Sequence, residues 1–154
     1  MKAWQYTGLA IALIFLGIQF VPIDLPEVSQ DNPGDLLGSG IVDGEVADLL
    51  QTACYNCHSN ETQYPWYSQV APVSWLVAKD VKMAREEVNF STWDKYELMD
   101  QLAILDDIYS NVEEKHMPLP IYITMHAEAD LNDAQRQKIV EWAEAAMDII
   151  AEEY

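Results

Sequence analysis

The chain has 154 residues, half of them apolar, which suits one domain with a core of its own and requires no second folding unit. Its 26 Asp and Glu residues outnumber 8 Lys and Arg, for a formal charge of -18. A surface that acidic excludes a phosphate backbone, so no nucleic-acid partner is expected; it favours docking to a basic surface instead.

Met1 to Val21 starts with Lys2 and runs through an apolar stretch, Gly8 to Phe20, interrupted by Gln19. It has no polar stripe to turn towards solvent, so the stretch reads as an export segment. No small-x-small cleavage site follows, since the next residues are Pro22, Ile23, Asp24 and Leu25. The expectation is therefore a signal or anchor segment over residues 1–23, an uncleaved single span in preference to a removed signal, with Trp4 and Tyr6 at the membrane interface. Residues 24–44 contain Pro26, Pro33, Gly34, Gly38 and Gly40 among acidic and small residues, the composition of a linker that tethers a domain over residues 45–154.

From Glu45 the spacing of Val46, Leu49, Leu50 and Ala53 predicts an amphipathic helix that runs into Cys54-Tyr55-Asn56-Cys57-His58. A second helix is predicted over Val73 to Val88 after Pro72, and a third from Ser91 as N-cap through Tyr96, Leu98, Leu102, Leu105 and Ile108. Pro118 and Pro120 argue for an irregular loop around Met117. Asn132 with Gln135 starts a last helix, in which Ile139, Trp142, Ala146 and Ile149 recur at helical spacing. No alternating strand pattern of useful length occurs, so the fold class is all-α with long loops.

The only two cysteines stand at CxxC spacing, and one of only three histidines follows directly. That spacing suits covalent attachment of one haem c, each thiol adding to a vinyl group while the imidazole binds iron. On a continuous helix, steps of about 100° put Cys57 roughly 60° to one side of Cys54 and His58 roughly 40° to the other, so one flat ligand meets all three. Two other chemistries use such residues: a disulfide or redox thiol pair, and half of a zinc site completed by His116 or His126. The first lacks a βαβ setting and the second a further thiol pair.

A second axial ligand would come from the loop Glu114 to His126. Met117 beside Pro118 is the first candidate, as a soft sulfur on a rigid loop, and His126 the second. His116 follows Glu113, Glu114 and Lys115 and reads as a solvent-facing residue. Tyr64, Trp66, Tyr67 and Trp75 follow the attachment motif and are candidates to wall the porphyrin from water, or else ordinary core. Arg85 suits a haem propionate, or a surface pair with Glu86.

The motifs Cys54 to His58, Ser59-Asn60-Glu61-Thr62, Pro65-Trp66-Tyr67-Ser68 and Pro72-Val73-Ser74-Trp75 resemble the bacterial haem-binding domain family with its CxxCH-SN-T-PWYS signature. The resemblance continues through Asp80-Val81, Arg85, Asn89-Phe90-Ser91, Trp93, Met117-Pro118-Leu119-Pro120, Tyr122, His126, Ala129, Leu131 and Trp142, with Ala84 standing where the family pattern has Gly. It implies a small, helical, cytochrome c-like domain on the cell-envelope side. The expected function is electron transfer to a redox protein partner through His58- and Met117-ligated iron. The alternative is a haem-based sensor with a displaceable or absent sixth ligand. No enzymatic role is expected, because a peroxidase would need a distal acid-base group beside an open iron. The expected location is periplasmic or extracytoplasmic, with the N-terminal segment in the inner membrane.

Overall fold

The computed structural model describes residues 3–42 and 44–152. Lys2, read above as the positive front of the export segment, lies outside them. Seven α-helices are described: α1 (Ala3–Ile18), α2 (Gly44–Ala53), α3 (Tyr55–His58), α4 (Val73–Glu87), α5 (Leu98–Glu113), α6 (Pro120–Ile123) and α7 (Asp133–Glu152). Short 3-10 turns lie at Leu36–Gly38, Trp66–Gln69, Phe90–Lys95 and Ala127–Ala129, and no strand occurs among the described residues. The all-α class is as expected.

Helix α7 starts as its sequence predicts. The Asn132 side chain accepts from Gln135 N at 3.0 Å while the Gln135 side chain accepts from Asn132 N at 2.9 Å, a reciprocal box that satisfies two free helix donors. Its apolar stripe, Ile139, Val140, Trp142, Ala143, Ala146 and Ile150, is buried in one core with Leu36, Leu49, Leu50, Tyr55, Phe90, Trp93, Leu105 and Val112. Helix α7 packs mainly on α5 and also touches α2. The Trp142 indole donates to Ile41 O at 2.8 Å, so its polar tip is satisfied within that core.

Helix α4 follows the sequence closely, ending at Glu87 with Val88 extended. The third predicted helix does not start at Ser91. Phe90–Lys95 form a 3-10 turn, Tyr96 and Glu97 are extended, and α5 starts at Leu98. Long-range demands override the local cap: the Ser91 hydroxyl accepts from Asn60 N at 3.0 Å, and the Tyr96 hydroxyl accepts from Asn89 N at 2.9 Å. Trp93 is buried between them in sequence, and the chain turns to bury it. Pro120, expected to forbid regular structure, instead occupies the first turn of α6, where its missing N–H costs nothing.

The N-terminal segment departs from expectation twice. Helix α1 has 16 described residues, or about 24 Å, against the roughly 20 residues that cross a bilayer core. No helix among the described residues is long and apolar enough to cross a membrane, so the single-span anchor expected over residues 1–23 is not supported. The linker, in turn, is strapped to the domain. Ser29 N donates to Asn60 O at 2.8 Å, the Tyr64 hydroxyl to Pro26 O at 2.8 Å, and Arg85 Nη1 to Glu27 O at 2.7 Å. Ahead of the strap, the Gln19 side chain bonds both the N–H and the C=O of Ala71, each at 3.0 Å. Proline and glycine content reports the absence of helix; it does not report freedom from the domain.

Candidate functional site

The helix leading to the cysteines breaks one residue earlier than a continuous helix would allow. Cys54 has φ -122° and ψ -40°, separating α2 from α3. Tyr55 draws the backbone round: it is buried, its ring stacks on Phe90 at 5.3 Å, and its hydroxyl donates to Asp35 Oδ1 at 2.7 Å. Hydrogen bonds from Cys57 N and His58 N back to Cys54 O, at 3.1 and 3.0 Å, close the turn. Cys54, Cys57 and His58 still meet a common space despite the break.

That space is a cavity of about 460 Å³, within the range of small-molecule and cofactor sites. Cys54, Cys57 and His58 line it together with Met117, which comes from the loop after α5. Ala53, Ala84, Val88, Phe90, Ile104, Ile108, Val112, Leu119 and Tyr122 make most of the remaining wall apolar, and Asp80, Glu87 and Asp107 contribute acidic groups.

His58 Nδ1 lies 3.1 Å from Ala84 O and 3.3 Å from Val88 O. Both neighbours are acceptors only, so Nδ1 carries the proton and Nε2 keeps its lone pair. Burial pushes the His58 pKa below its ordinary value, which favours that neutral form. Neither cysteine is in a disulfide. Burial, with the neighbouring Cys57 thiol second, pushes the Cys54 thiol up to about 12; burial and then the charge of Asp80 push Cys57 up to about 11. Such thiols are poor thiolates, unlike the low-pKa thiol of a redox pair. No group of three or more His, Cys, Asp or Glu able to hold a metal ion occurs among the described residues, so the zinc reading finds no completed site.

Both backbone polar groups of Met117 are tied. Its N–H donates to Asn111 O at 3.1 Å and its carbonyl accepts from Arg136 Nη1 at 2.6 Å. His126, the second ligand candidate, is not among the described residues lining the cavity. Its Nε2 is 2.6 Å from the Tyr67 hydroxyl, its Nδ1 is 3.0 Å from Glu128 Oε1, and its ring stacks on Tyr122 at 4.2 Å. It backs the wall with both nitrogens engaged. His116 is exposed, with Nδ1 3.4 Å from Glu114.

A family model described as haem-binding domain matches residues 13–145. The chain belongs to the haem-binding domain family. No curated protein and no solved structure matches it. For a haem-binding domain the donor set fits: a mostly apolar cavity offers two thiols, an imidazole with a free ring nitrogen and the thioether-bearing residues Met117 and Met83, with the carboxylates of Asp80, Glu87 and Asp107 on the same lining.

Four of the residues expected to touch the cofactor lie elsewhere in this haem-binding domain. Trp66, Tyr67, Trp75 and Arg85 are absent from the described cavity lining. Trp66 is 74% exposed and Trp75 38%, because the 3-10 turn and the first turn of α4 that carry them sit at the surface. Tyr67 acts through His126, and Arg85 is committed to Glu27 O and, at 2.8 Å, to the Thr62 hydroxyl. The aromatic wall is Phe90 and Tyr122 instead, and the Tyr122 hydroxyl is held by the Asn56 side chain at 2.9 Å. Both residues fall within the family motifs, but nothing in their local spacing marks them as wall. The carbonyls of Ala84 and Val88 leave no trace in a sequence at all.

Proposed function

We propose that the protein is a cytochrome c-like electron carrier. In this reading Cys54 and Cys57 would hold one haem c covalently, and His58 and Met117 would bind its iron. The observation that carries the reading is the convergence of these four residues on one mostly apolar cavity, with His58 Nε2 left free by the bonds that Nδ1 makes to α4. When bound, haem supplies a one-electron couple.

Cys54 and Cys57 would hold the haem by thioether bonds, each thiol adding its sulfur and its proton across a vinyl double bond, with no external oxidant or reductant needed. His58, neutral with Nε2 free, would bind the iron without first losing a proton, and the Met117 sulfur would be its second protein ligand, a pair that suits a carrier. Phe90, Tyr122 and the aliphatic walls keep water away, which favours the less charged, reduced state.

The apolar, exposed α1 supports export, and an extracytoplasmic domain is the reading that goes with covalent attachment at CxxCH. A redox partner with a basic face is the complement of the acidic surface, including Asp80, Glu87 and Asp107 around the cavity.

The test is to express the chain with a c-type haem maturation system, stain a denaturing gel for haem, and record oxidised and reduced spectra. Haem that survives denaturation, with the weak long-wavelength Met-to-iron band in the oxidised protein, is the expected result. Loss of haem on the gel would remove covalent attachment. Rapid carbon monoxide binding by the unmutated ferrous protein would replace the carrier with a ligand-binding sensor.

A further inference from the structure

Arg136 is the one charged side chain buried among the described residues, at 8% exposure. None of the described ion pairs includes it, and the nearby Asp133 carboxylate pairs with Lys115 at 2.6 Å. A guanidinium does not lose its proton in a protein, so this charge stays in the interior, where its hydrogen bonds go to backbone carbonyls and the Asp133 carboxylate, also held by Lys115, is its coulombic neighbour. Its Nε donates to Leu131 O at 3.2 Å, and its Nη1 donates to Val112 O at 3.2 Å and to Met117 O at 2.6 Å.

These three carbonyls belong to three different pieces of chain: the approach to α7, the last turn of α5 and the Met117 loop. Val112 and Met117 both line the haem cavity. A loop rich in proline makes few hydrogen bonds of its own, and Met117 is fixed on one side by Asn111 O and on the other by this guanidinium. The charge-assisted bond is the shorter of the two.

We infer that Arg136 is the positioning residue for the sixth ligand, holding Met117 at the cavity from the α7 side while its buried positive charge favours the reduced state there. The inference rests on Met117 ligation as proposed above. A buried cation behind the Met117 loop, balanced only in part by an exposed carboxylate that Lys115 also holds, disfavours the more positive oxidised form of a bound haem, and a fixed loop keeps the thioether from leaving.

The experiment uses haem-loaded protein and three variants: Arg136→Met, Arg136→Lys, and Val140→Ala as a core-destabilised control on the same helix. For Arg136→Met the expected outcome is loss of the Met-to-iron band, ferrous carbon monoxide binding faster by about tenfold or more, and a lower reduction potential. Arg136→Lys keeps the charge but not the planar fork, so the band weakens and the potential falls less. Val140→Ala melts earlier yet keeps band, binding rate and potential. If Arg136→Met gives no folded holoprotein, Arg136→Lys decides by the same readouts. Unchanged band, rate and potential in the Arg136 variants would reduce Arg136 to a structural residue and leave Met117 ligation standing. An unmutated protein with no such band would remove Met117 ligation, and this inference with it.

Discussion

Cys54 and Cys57 set the chemistry at the smallest scale, and their environment makes apo and loaded protein behave differently. In the folded apo chain the thiols ionise near 12 and 11 in place of the ordinary 9.0. At pH 8 their thiolate fractions are smaller than those of unfolded thiols by about 100-fold or more, and thiol reagents react through the thiolate. Folded apo-protein should therefore react with an aromatic disulfide reagent slower by about that factor, and urea should restore the rate. Equal rates in both states would mean that the cavity does not shield the thiols. The same shift carries a sign for stability. As pH rises past 9 the unfolded chain loses these protons first, so the apo fold loses stability progressively from pH 9 to about 12. A thioether has no proton to lose, so this part of the alkaline loss should vanish in haem-loaded protein, as melting scans of both forms would show. At Met117 the expectation is equally specific. Met117→Ala keeps covalent haem and gains rapid carbon monoxide binding, whereas a variant that binds no faster than the unmutated protein would assign the sixth position to another residue.

Helices and their connections explain why some of this was legible and some was not. The attachment motif, the α4 boundaries and the α7 start are read from residues within a few positions of one another, where local spacing and capping decide. The start of α5 was misread because Ser91 spends its hydroxyl on Asn60, 31 residues away, and the helical spacing carries no record of that bond. The aromatic lining is hidden for a similar reason: Trp66 and Trp75 lie closer in sequence to the cysteines, but Phe90 and Tyr122 are the aromatic residues the fold brings to the cavity. The strap over residues 22–34 is the largest such departure, and Arg85 is one of its anchors. Arg85→Ala removes bonds to Glu27 O and to the Thr62 hydroxyl. Charge-assisted bonds of this kind support a loss of about 1–3 kcal/mol. Denaturant melts should show that loss, and limited proteolysis should find new cleavage between Pro22 and Asn32. Because the Arg85 charge also acts on Cys57, the reduction potential should fall as well, and an unchanged potential would confine Arg85 to the strap.

Over the whole molecule, charge governs how the haem cavity is reached. A formal charge of -18 on a chain of this size surrounds it with a negative field, and Asp80, Glu87 and Asp107 bring that field to the cavity. Fields of this kind act on encounter and orientation more than on the bound complex, and added salt weakens them because the screening length falls to about 10 Å at 0.1 M. Electron exchange with a small basic redox protein should therefore slow steeply as ionic strength rises. Exchange with an acidic redox protein of similar potential should be slow at low salt and speed up as salt screens the repulsion. The acids at the cavity can be separated from the distant ones. Replacing Asp80, Glu87 and Asp107 by Asn, Gln and Asn changes the formal charge by only three, a small part of the total. If these groups orient the partner at the haem, the triple variant loses a far larger share of the salt dependence than three charges in eighteen would carry. If net charge alone steers the encounter, the loss stays in proportion, and docking need not involve the cavity rim. Stopped-flow rates across a salt series, measured with both partners, distinguish the two.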